Sequence, residues 1–467
     1  MIKLSFDEVL AALEGRLTGV TPAGGVRAVS TDSRTVGAGE LFFAIAGERF
    51  DGHDFVGDAL ARGACAAVVR AERLPALRRA LGDAAPLIGV TDVVVALGRL
   101  AAYHRRQLAA EVVAVVGSNG KTTTKAMIDH ILRGSRRGRS SPKSFNNQIG
   151  VPLTLLSAEA ADEFLVVEIG TNAPGEIAAL GGLVQPDLAV ITAIGEEHLE
   201  GLGDLEGVLA EECSLVRFIR PGGFLAVNIE LPDVRRHIAR DGLTTVTFGR
   251  RAEADLRVSD VRYDEPWLFF TMNGRFHYRL HAPGHHNALN ATGAAAIALR
   301  LGVSHEDIIA RLESFALPPM RGELLELGEL TLVNDAYNAN PHSALAAIEL
   351  LESMPARARR IFVFGQMCEL GPRSDELHRR VASRLREAHL DHIMLVGPPA
   401  DVMYDVLHQD GLFGPSVERC ADVPAAGRRL AEFVREGDVV LLKASRAVGL
   451  DRAVEALRTR FAPAPVA

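Results

Sequence analysis

The segment Gly117-Ser118-Asn119-Gly120-Lys121-Thr122 combines the residue types that can hold a polyphosphate. Two glycines let the backbone turn tightly enough for its N–H groups to face phosphate oxygens, and a helix starting there adds positive potential. Lys121 would reach the β- and γ-phosphates, and the Thr122 hydroxyl would be offered to Mg²⁺. The run is a shortened Gly-x-x-Gly-Lys-Thr, because the longer phosphate-loop pattern wants a glycine where Val115 stands. Two further places carry acid, base or metal-ligand types. Glu168 closes the apolar run Phe164-Leu165-Val166-Val167, and Glu196-Glu197-His198 follows the apolar run Ala189-Val190-Ile191-Thr192. In a parallel sheet both would emerge at the carboxyl edge, beside the phosphate loop. Glu168 could then hold Mg²⁺ directly or through water. The Glu-Glu-His cluster fits a second metal, with His198 the favoured ligand. A glutamate that merely ends a strand in solvent is the competing reading for Glu168.

Such side chains need a scaffold that brings strand ends together. Apolar runs at 112–116, 164–167 and 188–191 alternate with helix-length segments, the pattern of a parallel sheet covered on both faces. The first 90 or so residues hold further strand candidates, 41–46 and 66–69, and a helix over 93–108 leads out of them. Thr245-Val246-Thr247-Phe248 and Trp267-Leu268-Phe269-Phe270 read as a small antiparallel insertion. After Leu317-Pro318-Pro319 the alternation restarts, with strands expected at 330–333, 361–364, 393–396 and 439–442. There Asn340 is a helix N-cap, Pro341 sits at N1, and Leu345, Ile348 and Leu351 share one face. The expectation is an α/β protein of three domains. Residues 1–92 form a small α/β domain, 93–316 a central phosphate-loop domain with a mostly parallel sheet, and 317–467 a Rossmann-like domain. The tail from Phe461 is expected to fray.

Bulk properties narrow the class. The chain has 467 residues, so about three domains are expected at ~150 residues each. With 48% hydrophobic and 24% charged residues it reads as globular. A net charge of −8 argues against a nucleic-acid binder. No signal peptide or membrane span is visible, and the four cysteines form no Cys-x-x-Cys pair. A cytoplasmic protein with reduced thiols and no membrane or nucleic-acid partner is expected. The basic stretch Arg133, Arg136, Arg137, Arg139 and Lys143 reads either as a solvated loop or as a steering patch for an anionic substrate.

Longer stretches resemble the Mur ligase family, ATP-dependent amide-forming enzymes of peptidoglycan precursor synthesis. The phosphate loop followed by Thr123-Thr124-Lys125 is similar to the whole superfamily. Phe145-Asn146-Asn147-Gln148-Ile149-Gly150-Val151-Pro152-Leu153-Thr154-Leu155-Leu156 and Asp335-Ala336-Tyr337-Asn338-Ala339-Asn340-Pro341-His342-Ser343 resemble the branch that adds D-alanyl-D-alanine. Thr31-Asp32-Ser33-Arg34 and Asp51-Gly52-His53-Asp54 resemble its UDP-binding first domain. The resemblance implies a ligase acting on ATP, UDP-N-acetylmuramoyl-tripeptide and D-Ala-D-Ala, with Mg²⁺, as a monomer. It implies that Gly117, Ser118, Asn119, Gly120, Lys121, Thr122 and Thr123 hold the triphosphate, and that Thr122, Glu168 and His198 serve Mg²⁺. Asn287 and Asn290 would lie near the adenine, and Arg321 and Asp335 would reach ATP from the third domain. Ser33 and Arg34 would contact the UDP moiety, Asn146 and Asn147 the peptide, and Asn338 and Asn340 the D-Ala-D-Ala side. Glu212 stands where most members carry a lysine that becomes carbamylated, which makes it a further candidate metal ligand. Gln366 stands where aspartate is common. A ligase of another branch, diamino-acid-adding or folylpolyglutamate-forming, and a silent nucleotide-binding scaffold remain the alternatives.

Overall fold

The structure is a computed structural model that describes residues 4–231, 233–408 and 415–461. The expected fraying beyond Phe461 lies outside the described residues. Three sheets follow one another along the chain. The first comprises β1 (Arg16–Thr18), β2 (Ala28–Ser30), β3 (Glu40–Phe43), β4 (Ala66–Arg70) and β5 (Leu87–Val90), in the order β1-β5-β4-β3-β2. All its pairings are parallel except β1 with β5.

The central sheet contains β6 (Glu111–Val116), β7 (Gly138–Ser140), β8 (Phe164–Glu168), β9 (Leu188–Ile191), β10 (Phe224–Asn228), β11 (Thr244–Gly249), β12 (Leu256–Asp264), β13 (Trp267–Met272) and β14 (Phe276–Leu280). Their order is β14-β13-β12-β11-β10-β9-β6-β8-β7. Only β12–β13–β14 pair antiparallel. Thr245–Phe248, expected in the antiparallel insertion, instead continues the parallel sheet as β11 beside β10. The helix His286–Arg300 covers it, with Phe248 packed on Gly293.

Strand β6 lies between β8 and β9, so the chain leaves it first to one side and then to the other. Loops at such a switch point diverge and leave a crevice at the carboxyl ends of the strands. Every residue of β8 and β9 is buried, as a strand covered on both faces must be. The helix Val93–Arg105 belongs to both neighbours: Leu97 and Leu100 share one apolar cluster with Leu41 of the first sheet and Val112 of the central one.

The third sheet is β15 (Glu323–Leu327), β16 (Leu330–Asp335), β17 (Arg360–Phe364), β18 (His392–Val396), β19 (Ser416–Cys420) and β20 (Val439–Lys443), in the order β15-β16-β20-β17-β18-β19. Apart from the β15–β16 hairpin it is parallel. Asn340 caps the helix Pro341–Ser353, its side chain accepting the Ser343 N–H at 2.8 Å, with Pro341 at N1. Leu199, Leu202 and Val208 of the central domain pack into the apolar cluster of this third unit, so the two are docked.

Candidate active site

The loop after β6 needs glycine at two positions. Gly117 has φ +125° and a Cβ there would meet Thr192 Oγ1; Gly120 has φ +87° and a Cβ would meet Asn290. The loop after β9 is strapped to it. Ser118 Oγ donates to the Gly195 carbonyl and accepts the Gly195 N–H, both at 2.9 Å, and the Asn119 N–H donates to Ala193 O at 2.9 Å. These bonds bring Glu197 and His198 beside Lys121.

Three acidic and two basic groups meet here. Glu168, Glu197 and Glu212 are buried, and so is Lys125. Lys121 bonds the Gly117 carbonyl and stands 3.6 Å from Glu197 Oε1. Burial opposes its charge, but Glu197, Glu212 and Glu168 outweigh that and hold its pKa above the ordinary lysine value. Lys125, one helical turn on, pairs with Glu168 Oε2 at 3.0 Å. Glu212 sits beneath the loop, its Oε2 accepting the Gly117 N–H at 2.8 Å, and burial pushes its pKa up to about 7. Glu211, adjacent, is aimed elsewhere: it accepts the Gly175 and Ile177 N–H groups, each at 2.8 Å, at the start of the helix Glu176–Val184.

A cavity of about 470 Å³ opens over the loop. Ser118, Gly120, Lys121, Asn146, Asn147, Glu168 and His198 line it from the central domain, and Arg321, Asn338 and Asn340 from the third. Arg321 donates to Thr122 Oγ1 at 3.2 Å and stacks on Tyr337 at 3.8 Å. Asn340 Nδ2 donates to Asn119 Oδ1 at 3.0 Å. Asn146 donates to Glu168 Oε1 at 3.1 Å, whereas the Asn147 side chain accepts from Ile149 and Gly150 N–H and shapes the helix Gly150–Ser157.

Other expected residues lie off this cavity. Ser33 and Arg34 belong to the first domain, where Arg34 forms a two-bond pair with Asp32 and holds that carboxyl down at about 2. Asn287 and Asn290 are buried and bonded to each other, at 3.0 Å, so they brace Gly120. Beside them a smaller cavity of about 230 Å³ is lined by Arg250, His285, His286, His342 and Glu349. Asp335 pairs with Lys443 at 2.6 Å. Of the basic stretch, Arg133, Arg137 and Arg139 pair with nearby carboxylates, which favours the solvated-loop reading over steering. Sequence reasoning gave no role to Lys125, Tyr337 or Glu369, and named Glu197 only as a member of the Glu-Glu-His cluster. Lys125 carried a signal, its four-residue spacing from Lys121; Glu369 carried none, because only folding brings it to His198.

The residues present fit Mg²⁺. Buried Glu212 Oε1 and Glu197 Oε1 accept no hydrogen bond, and Glu168 Oε2 faces only the Lys125 ammonium. Among the described residues no three acidic, histidine or cysteine side chains form a ready cage. Mg²⁺ suits that arrangement, since it takes one or two carboxylates together with phosphate and water.

This site, a phosphate loop at a sheet's switch point roofed by a second α/β unit, defines a nucleotide-dependent enzyme class. Family models match in chain order: the Mur ligase family catalytic domain over residues 25–105, the Mur ligase middle domain over 115–298, and the Mur ligase glutamate ligase domain over 320–446. The chain belongs to the Mur ligase family. It is 33% identical to the UDP-N-acetylmuramoyl-tripeptide--D-alanyl-D-alanine ligase of Escherichia coli K12, covering 98% of this chain and 99% of that one. It is 32% identical to the enzyme of the same name from Bacillus subtilis 168, over 92% and 93%. MurF from Acinetobacter baumannii superposes with a TM-score of 0.86 at 29% identity, covering 98% of this chain and all of that one. MurF from Thermotoga maritima, solved with ADP, gives 0.81 at 29% identity, over 93% and 98%. Among the described residues no helix is long and apolar enough to cross a membrane.

Proposed function

We propose that this chain is the ATP-dependent ligase that joins D-Ala-D-Ala to UDP-N-acetylmuramoyl-tripeptide in peptidoglycan precursor synthesis. The observation that carries the reading is the shared cavity, in which the phosphate loop faces Asn338 and Asn340 of the third domain. The names of the relatives supply the acceptor and the donor.

A carboxylate is a poor electrophile, so the tripeptide's terminal carboxylate oxygen first attacks the γ-phosphorus of ATP. The bond to the β–γ bridging oxygen breaks, ADP leaves, and an acyl phosphate forms. The amine of D-Ala-D-Ala then attacks the acyl carbon, inorganic phosphate leaves, and the amine loses its proton. Transfer between two anions needs charge neutralisation and in-line placement more than covalent help. Lys121, next to Thr122 in the chain, and Arg321, bonded to Thr122 Oγ1, provide cations. Bound Mg²⁺, held by Thr122 and Glu168 with His198 near, would neutralise phosphate oxygens. Lys125 fixes the Glu168 side chain through their ion pair at 3.0 Å. The roof of the third domain excludes water that would hydrolyse the acyl phosphate. The smaller cavity at His285 and His286 takes the adenine, with Asn287 and Asn290 following on the same helix. The first domain, with Ser33 and Arg34, takes the UDP end.

The test is phosphate release and product mass with the UDP-tripeptide, ATP, Mg²⁺ and D-Ala-D-Ala. The expected product gains one dipeptide with loss of water, and release depends on the acceptor. Lys121→Ala should lower turnover on the order of 10²–10³-fold with the fold intact. Release driven by a diamino acid or by glutamate, and not by D-Ala-D-Ala, would reassign the branch.

A further inference from the structure

His198 is held from outside its own domain. Its ring Nδ1 meets Oε2 of Glu369, on the loop after β17 in the third domain. Its Nε2 lies 3.8 Å from Glu197 Oε2, beyond hydrogen-bond distance. Both residues have left-handed backbones, φ 51° at His198 and 62° at Glu369. Such non-glycine conformations persist only where the surroundings enforce them, and they gather at functional sites. The enforcement is visible here. The Glu369 carbonyl accepts the Glu200 N–H at 3.1 Å. The Cys368 N–H donates to Ser445 Oγ at 2.9 Å, and the Met367 N–H to His378 Nε2 at 3.1 Å. Met367 and Leu370 are buried in one cluster with Leu199 and Leu202, on either side of the domain boundary.

A carboxylate on one imidazole nitrogen keeps the proton there and leaves the lone pair on the other, fixing both tautomer and ring direction. We propose that Glu369 is a positioning residue for His198: docking of the third domain sets the ring so that Nε2 offers its lone pair to the cleft beside Glu197. His198 is then competent only while the two domains are together. A general interdomain latch does not require Glu369, because Glu196 already pairs with Arg373, at 3.1 Å, and with Arg380. Glu369 instead reaches a side chain that lines the cavity. The inference rests on the reading of His198 as a site residue.

The experiment uses full-length Glu369→Ala, Glu369→Gln, His198→Gln and the Glu369→Ala/His198→Gln double variant. Kinetics are paired with nitrogen-15 spectra of histidine-labelled protein bound to ADP, His198 being assigned by its loss in His198→Gln. Glu369→Ala should lower kcat by about 10–100-fold. It should leave KM for ATP within about twofold, because the phosphate loop is untouched. Glu369→Gln, whose amide oxygen still accepts the Nδ1–H, should recover most of the loss. The His198 spectrum should show a proton on Nδ1 in the parent and a tautomer mixture in Glu369→Ala. Adding Glu369→Ala to His198→Gln should cost nothing more, because both changes act through one ring. An equal loss in the His198→Gln background, or an unchanged tautomer in Glu369→Ala, overturns the proposal. Full turnover by His198→Gln alone would instead overturn the site reading beneath it.

Discussion

Replacing Glu212 by Gln should stabilise the nucleotide-free, Mg²⁺-free protein at alkaline pH and leave its stability unchanged at acid pH. The Glu212 side chain has no solvent exposure, and its Oε2 accepts the Gly117 N–H at 2.8 Å. Burial moves its pKa from 4.5 up to about 7; Lys121 pulls it back and Glu197 adds to the rise. A shift of that size corresponds to roughly 3 kcal/mol. Its sign follows from which state binds the proton more tightly. Below pH 4.5 the carboxyl is protonated both folded and unfolded, so its contribution is fully present. As pH rises through 7 the folded state must ionise a buried group, and that stability is lost. A glutamine is neutral throughout, and its amide oxygen keeps the bond to Gly117. Lys121 retains Glu197 as a partner at 3.6 Å. The difference between variant and parent should therefore open above pH 4.5 and approach roughly 3 kcal/mol in favour of Gln by pH 8. Calorimetric melts of both proteins from pH 4.5 to 8.5 measure it, with other carboxylates cancelling in the difference. A gap that does not change with pH would refute the linkage. A less stable variant at pH 8 would show that Lys121 requires the charge of Glu212.

Two more outcomes probe the roof of the site. Arg321→Ala removes the cation bonded to Thr122, so turnover should fall by about 10²-fold while a central-domain unfolding transition stays in place; unchanged ATP kinetics would show that the third domain does not complete the nucleotide site. Asn340→Ala loses both a helix cap and the link to Asn119, and should cost about 1 kcal/mol in denaturant unfolding as well as raising KM for ATP. Asn340→Asp keeps an acceptor for the Ser343 N–H and should restore stability without restoring KM.

What the sequence disclosed and what it hid divide along a physical line. The phosphate loop was legible because its requirements are local: glycines where φ is positive, a lysine and a threonine opening a helix. The edge positions of Glu168 and His198 followed from apolar runs ending in polar residues, since a parallel sheet delivers strand ends to one side. Strand β11 was misplaced because a short apolar run shows neither which strand it pairs with nor the distant helix that covers it. Glu212 was recognised by its place in the chain, but its actual partner, the Gly117 N–H, lies 95 positions away and leaves no mark in periodicity.

The contacts that no local pattern discloses are those crossing from the third domain: Arg321 to Thr122, Asn340 to Asn119 and Glu369 to His198, of which the family resemblance had implied only that Arg321 reaches the ATP site. Each pairs a residue of the nucleotide machinery with one at least 171 positions further along. None is demanded by the fold of either domain, because both sheets would bury their apolar faces without it. That freedom separates stability from competence. The central sheet alone places Lys121, Glu168 and Glu197, yet the cation over Thr122 and the partner of the His198 ring arrive only with the roof. An acyl phosphate formed before that arrival would meet water. Distributing the site across two independently cored units therefore ties charge neutralisation and water exclusion to a single docking event.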